Sequence, residues 1–176
     1  MDLKTLARAY DRSAASYDER FRALQRPKYE AAARLLGGLA AGTRCLDAGG
    51  GTGLFAEFAP TLRVTVLDAS LEMLRVAARR AGSLSCVLGD LAAPPFVPRS
   101  FPLVVSFTAV LGDVPRALRA LGALVSPGGR LVVSFLAGEA PAAAQLARHA
   151  GLIVVAGPVL AGQDEVTVLA ASAEAG

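Results

Sequence analysis

The stretch Asp47-Ala48-Gly49-Gly50-Gly51-Thr52-Gly53 constrains this chain more than any other part of it. It follows the apolar pair Cys45-Leu46 and opens onto a helical segment, Leu54 to Phe58. Glycines at this density let a ligand approach the backbone, because no Cβ stands in the way. A helix that starts behind such a loop presents free N–H groups and the positive end of its dipole to that ligand. Two carboxylates then recur near the ends of the next apolar runs: Asp68 after Val64-Thr65-Val66-Leu67, and Asp90 after Cys86-Val87-Leu88-Gly89. A carboxylate accepts two hydrogen bonds at once, so one placed at the next strand end suits a ribose diol. The pattern is a nucleotide cradle repeated down successive strands.

Apolar runs and helical segments alternate through most of the chain, which argues a parallel sheet with helices on both faces. Leu3–Tyr17 and Phe21–Leu39 read as two helical segments, the second ended by Gly37-Gly38 or Gly42. Strands are expected at Arg44–Ala48, Arg63–Leu67, Leu84–Leu88, Leu103–Phe107 and Arg130–Phe135. The intervening helices are expected from Gly53 to Pro60, from Ser70 as N-cap to about Arg80, over Val114–Val125, and over Glu139–Ala150. Ala92–Ser100, with Pro94, Pro95 and Pro98, is a loop, and Ser126-Pro127-Gly128-Gly129 is a tight turn. Leu152–Ala156 and Glu165–Ala170 should close the chain as a hairpin that places an antiparallel strand at a sheet edge.

The 176 residues suffice for one domain with a sizeable core and are too few for two comfortable ones. A hydrophobic fraction of 53% against 19% charged excludes a disordered chain. No apolar run approaches a bilayer span, and Met1-Asp2-Leu3-Lys4 does not lead into a secretory segment, so the expectation is a cytoplasmic protein without a membrane partner. Cys45 and Cys86 fall in expected strands and read as small core residues, and two cysteines with one histidine do not build a zinc site. The net charge of +3 is concentrated at the front: residues 1–44 hold nine Lys/Arg and five Asp/Glu, against nine and ten in the rest. An anionic substrate is one reading of this; without a run of like charges, a solvated helix face is the preferred one.

These residues match a known pattern: the chain resembles the class I S-adenosylmethionine-dependent methyltransferases, from about Tyr10 to Ala170. The resemblance implies that the loop Asp47, Ala48, Gly49, Gly51, Gly53 holds the methionine half of S-adenosyl-L-methionine. It implies that Asp68 binds the ribose hydroxyls, with Ala69 beside it, and that Met73 packs on the adenine. Gly89-Asp90 would offer a carboxylate to the adenine amino group and Leu91 its N–H to a ring nitrogen, with Ser106 as a further cofactor contact. Pro127-Gly128-Gly129 before the fifth strand is also typical of the family. Tyr10-Asp11-Arg12-Ser13-Ala14-Ala15-Ser16-Tyr17-Asp18, followed by Leu24-Gln25-Arg26, is similar to the lead helix of the quinone C-methyltransferases and the malonyl-carrier-protein O-methyltransferases. There the second tyrosine, here Tyr17, lies over the cofactor and the helix acts as a lid. A helix–helix contact would equally explain Tyr10 and Tyr17, which share one face.

The expected fold is a doubly wound, Rossmann-like α/β sheet of seven strands, mostly parallel with an antiparallel terminal strand. Residues 1–42 would form the helical lid and first core helix, and 43–176 the nucleotide-binding sheet, in a single domain. The expected activity is methyl transfer to oxygen or carbon of a small molecule, by a monomer or a homodimer. Ser106-Phe107-Thr108-Ala109-Val110-Leu111-Gly112-Asp113 lacks the histidine many relatives carry after the fourth strand, and His149 lies in the last helix. No catalytic base is therefore named, and methyl transfer can proceed by alignment without one. A non-catalytic cofactor-binding protein of the same fold is the first alternative. A nicotinamide-dependent oxidoreductase is the second, since Gly51-Thr52-Gly53-Leu54-Phe55-Ala56 fits Gly-x-Gly-x-x-Gly/Ala, but it leaves Asp47 and Gly89-Asp90 without a role. Modest charge without an appended basic domain counts against a nucleic-acid substrate.

Overall fold

The structure, a computed structural model, describes residues 3–80 and 84–171. Its strands are β1 (Arg44–Ala48), β2 (Arg63–Asp68), β3 (Ser85–Leu88), β4 (Phe101–Phe107), β5 (Val125–Leu136), β6 (Ile153–Ala161) and β7 (Asp164–Ala170). They form one sheet in the order β3-β2-β1-β4-β5-β7-β6. Pairing is parallel from β3 through β5, and β7 runs antiparallel to both β5 and β6. The helices are α1 (Leu3–Leu36), α2 (Leu54–Phe58), α3 (Leu71–Ala77), α4 (Val114–Leu124) and α5 (Ala143–Ala150).

The strands are apolar runs because both faces of the sheet are covered. On one face Cys45, Val64, Val66, Leu103, Val105 and Val132 pack with Tyr29, Ala31 and Ala32 of α1, Phe55 of α2 and Leu74 of α3. On the other, Leu46, Leu67, Val104, Leu131 and Val133 pack with Leu118 and Leu121 of α4 and Leu146 of α5. Period-two alternation therefore sends the side chains of Cys45 and Asp47 toward α1, and those of Leu46 and Ala48 away from it.

Several elements differ from expectation: β5 starts at Val125, so the Ser126-Pro127-Gly128-Gly129 segment expected as a tight turn lies within that strand, and β6 runs on past Ala156 to Ala161. The two expected N-terminal segments are one helix, α1, of 34 residues. Asp18-Glu19-Arg20 contains neither Gly nor Pro, and the junction is bridged by i,i+4 pairs: the Tyr17 and Phe21 rings lie 4.7 Å apart, and Arg22 reaches Asp18 at 3.8 Å. Helix α5 begins at Ala143 rather than Glu139. Pro141 disfavours helical backbone at the residue before it, so the helix starts only beyond the proline. The closing hairpin forms, but its antiparallel strand β7 lies between β5 and β6, and β6 takes the edge. Asp164, the first residue of β7, pairs with Leu136, the last of β5. Antiparallel direction thus brings the start of β7 to the carboxyl end of the sheet.

Candidate active site

A cavity of about 270 Å³ opens at that carboxyl end. Its floor comes from Gly49 and Gly51 after β1, Asp68 and Ala69 at the end of β2, Gly89 and Leu91 after β3, and Thr108 and Ala109 after β4. Gln163 and Asp164 close it beside β5, and α1 roofs it with Tyr10, Tyr17, Phe21, Gln25 and Lys28. The cavity straddles β1 and β4, where strand order reverses, which is the crevice an open α/β sheet offers a ligand.

The first end is built on glycine backbone and one carboxylate. Gly51 has φ +54, and a Cβ placed there would meet only Met73 Sδ, at 3.8 Å, so this backbone is bare toward the cavity. Its N–H donates to Asp68 Oδ2 at 2.8 Å, and Ser70 N–H donates to Asp68 Oδ1 at 2.8 Å. Each Asp68 oxygen retains a lone pair for a ligand. Burial pushes the Asp68 carboxyl above its ordinary value, while the backbone bonds from Ser70 and Gly51 pull it back. Ser70 caps α3 by accepting from Met73 N–H at 3.1 Å. Asp11 reaches down from α1 to the same terminus, accepting from Ser70 Oγ at 2.6 Å and from Glu72 N–H at 3.2 Å. The Thr52 hydroxyl donates to Asp18 at 2.5 Å, and Arg80 pairs with Asp18 and Glu57, so α1 is fastened along the loop.

Beside the loop lies a recess of about 20 Å³, lined by Asp47, Gly50, Tyr17, Gln25, Tyr29 and Phe107. Asp47 is 2% exposed. Burial pushes its carboxyl up to about 7, with the Asp68 charge adding to the rise. Gln25 donates through Nε2 to the Tyr17 hydroxyl at 3.3 Å, and its buried Oε1 has no partner. Burial, then the neighbouring Tyr10, hold Tyr17 up at about 12, so it stays a neutral phenol. An unpaired acceptor and a buried carboxylate around a recess that a small cationic group could fill, next to bare glycine backbone and Asp68, fit the amino-acid end and the ribose of S-adenosylmethionine.

The far end is polar in a different way. Lys28, 4% exposed, donates to Thr108 Oγ1 at 2.7 Å and lies 3.2 Å from Asp164 Oδ2. The Ser134 hydroxyl donates to the same carboxylate oxygen at 2.8 Å, and Thr108 bonds it as well. Burial pulls the Lys28 ammonium below its ordinary value, and Asp164 pushes it back up. Thr108 has φ +52, an outlier for a β-branched residue. Its N–H is held by Ser134 Oγ at 3.1 Å, so the strain is fixed by the cluster.

Of the residues anticipated from the sequence, Tyr17, Gly49, Gly51, Asp68, Ala69, Met73, Gly89 and Leu91 line the cavity, and Asp47 lines the recess. Ala48 and Ser106 are buried in the sheet, where Ser106 Oγ donates to the Ala48 carbonyl at 2.9 Å and ties β4 to β1. Gly53 caps α2 with φ +72 and packs toward Ala77. Asp90 stands outside the cavity wall, with one oxygen accepting from Ala92 N–H at 2.8 Å. Gln25, Lys28, Thr108 and Asp164 were not anticipated. A signal for Lys28 exists: Tyr17, Phe21, Leu24 and Lys28 fall on one helical face, so a lysine continues an otherwise apolar stripe.

Residues 45–129 match a family described as a methyltransferase domain. A malonyl-[acyl-carrier protein] O-methyltransferase of Serratia marcescens is 37% identical over 140 residues, covering 76% of this chain and 53% of that protein. A demethylmenaquinone methyltransferase of Renibacterium salmoninarum is 39% identical over 101 residues, covering 55% of this chain and 43% of that protein. The chain spans about half the length of the curated relatives it matches. Among solved structures, a TehB-like SAM-dependent methyltransferase from Corynebacterium glutamicum superposes with TM-score 0.69 at 23% identity, covering 90% of this chain and 98% of that one. A possible histamine N-methyltransferase from Thermotoga maritima superposes with TM-score 0.71 at 19% identity, covering 93% and 98%. Both share the fold.

Proposed function

Since the chain belongs to the class I S-adenosylmethionine-dependent methyltransferase family, we propose that it moves the methyl group of S-adenosylmethionine to oxygen or carbon of a small molecule. The observation that carries this is a single cavity with two differently built ends under one helix: bare Gly51 and Asp68 at one, Lys28 and Thr108 at the other. Bound at the first end, S-adenosylmethionine supplies an activated methyl group. Asp68 and Gly51 hold the sugar side, and Asp47 and Gln25 accept from an ammonium in the recess. Tyr17, a neutral phenol lying over the loop, orients by contact and takes no proton. Helix α1 excludes water above the reacting groups, which strengthens every polar contact beneath it. The residues at the far end hold the acceptor, and alignment supplies the acceleration. Cys45 and Cys86 are unpaired, which suits a reducing cytoplasm.

The test begins with thermal unfolding. S-adenosylhomocysteine should raise the melting temperature, because a ligand bound only by the folded state stabilises it, and NAD should not. A shift with NAD and none with S-adenosylhomocysteine would overturn the assignment. Labelled-methyl transfer to malonyl thioesters and to demethylated quinones, the acceptors for which two relatives are named, then tests turnover.

A further inference from the structure

The far end of the cavity also says what kind of acceptor it takes. Lys28 is the only cation lining the cavity among the described residues, and it is buried. Two of its three N–H donors are used, on Thr108 and Asp164. The Asp164 oxygen it faces already accepts from Thr108 and Ser134, so that one oxygen is shared among three donors. A buried ion pair is weak evidence for stability, because desolvation offsets its attraction. Placed in a cavity wall with a donor to spare, it is a receptor for a second oxyanion. The mouth has the opposite character: Leu24, Leu111 and Leu136 line it and are 46%, 50% and 40% exposed. Apolar side chains left in water beside a cavity mark a place where a ligand covers them.

We propose that the acceptor is an amphipathic organic anion, its oxyanion on the remaining Lys28 N–H and its apolar remainder across Leu24, Leu111 and Leu136. Lys28 is then the acceptor-binding residue that sets charge specificity, and Asp164 and Ser134 are positioning residues that hold it. Calling this ligand the acceptor rests on the methyl-transfer reading above; its binding to Lys28 does not.

The probes are octanoate, octanol and octylammonium, titrated calorimetrically into the chain with and without saturating S-adenosylhomocysteine. Octanoate should bind at least tenfold more tightly than either of the others, as expected for a hydrogen bond to a charged group. That preference should vanish in Lys28→Met and in the charge-neutral pair Lys28→Met with Asp164→Asn, and survive in Lys28→Arg. Affinity for S-adenosylhomocysteine should stay within a few-fold in all of them. Octylammonium or octanol binding as tightly as octanoate, or an octanoate affinity indifferent to Lys28→Met, would overturn the proposal, and the three-probe comparison on the unaltered chain decides even if a variant fails to fold. If octanoate binds through Lys28 while S-adenosylhomocysteine does not bind at all, the anion site stands and the cofactor reading falls.

Discussion

At the residue scale, the two loop-side carboxylates have separable tasks. Asp68 holds Gly51 and Ser70, and on the proposed reading it also receives the cofactor's sugar, so Asp68→Asn should weaken S-adenosylhomocysteine binding roughly ten- to a hundred-fold. A 2′-deoxyribose analogue should lose affinity against the unaltered chain but lose little more against Asp68→Asn, because the same contact is removed twice. An undiminished sugar penalty in the variant would place the ribose elsewhere. Asp47 is a pH-dependent element. Unfolded, it releases its proton near 3.8; folded, it holds it up to about 7. Between those values the folded state binds the extra proton, so Asp47's contribution is greatest below 3.8 and is lost as pH rises toward 7. Urea unfolding of the ligand-free protein should show stability falling between pH 4.5 and 7.5, and Asp47→Asn should shrink that fall by up to about 3 kcal/mol. A fall of unchanged size would mean that Asp47 ionises normally in the folded protein. Both carboxylates are legible in sequence, since each ends or nearly ends an apolar run. The meeting of Lys28 with Thr108 and Asp164 is not, because they lie 80 and 56 positions apart and come together only through the fold.

At the element scale, the helix ends carry more than their own caps. Asp11 of α1 bonds the N-terminus of α3, so Asp11→Ala should cost about 1 kcal/mol, as a lost cap does. It should also speed limited proteolysis within the first turns of α1, and proteolysis at the unaltered rate would show that this contact does not fasten the helix. The α4–α5 contact supplies a control remote from the cavity. A Cβ on Gly122 would overlap the backbone carbonyl of Ala150, so Gly122→Ala should destabilise by about 1–3 kcal/mol while leaving S-adenosylhomocysteine affinity intact. Stability equal to the unaltered chain would mean that the two helices separate freely. β1, β2, β4 and the second half of β5 were legible because burial on both faces writes continuous apolar runs, whereas Val125–Gly129 of β5 was read as a helix end and a turn because Pro127-Gly128-Gly129 is turn chemistry. The continuity of α1 was not, since a charged Asp18-Glu19-Arg20 run reads equally as a connection or as the solvated face of an uninterrupted helix. The starting residue of α5 was set by Pro141, a local rule that the alanine-rich run around it obscured.

At the scale of the whole molecule, β7 shows where sequence pattern stops. The hairpin could be read from two apolar runs, but which of its strands joins β5 depends on packing the finished sheet against α1. That choice puts Asp164 in the site. It also fixes what α1 has to do. From Tyr10 to Lys28 the helix rises about 27 Å and touches both ends of the cavity, with Pro27 removing one backbone hydrogen bond just before Lys28. Two ligands lying under the same rod are thermodynamically linked: whatever energy the first spends seating the helix, the second need not spend, and the favour is returned in equal measure. Hydrogen exchange reads this directly. S-adenosylhomocysteine, bound at the glycine-loop end alone, should slow amide exchange along α1 as far as Lys28, and slowing confined to the turns around Tyr10 and Tyr17 would show a helix that bends rather than lifts. In a protein built this way, the residence of one ligand would be tied to that of the other through a single shared helix.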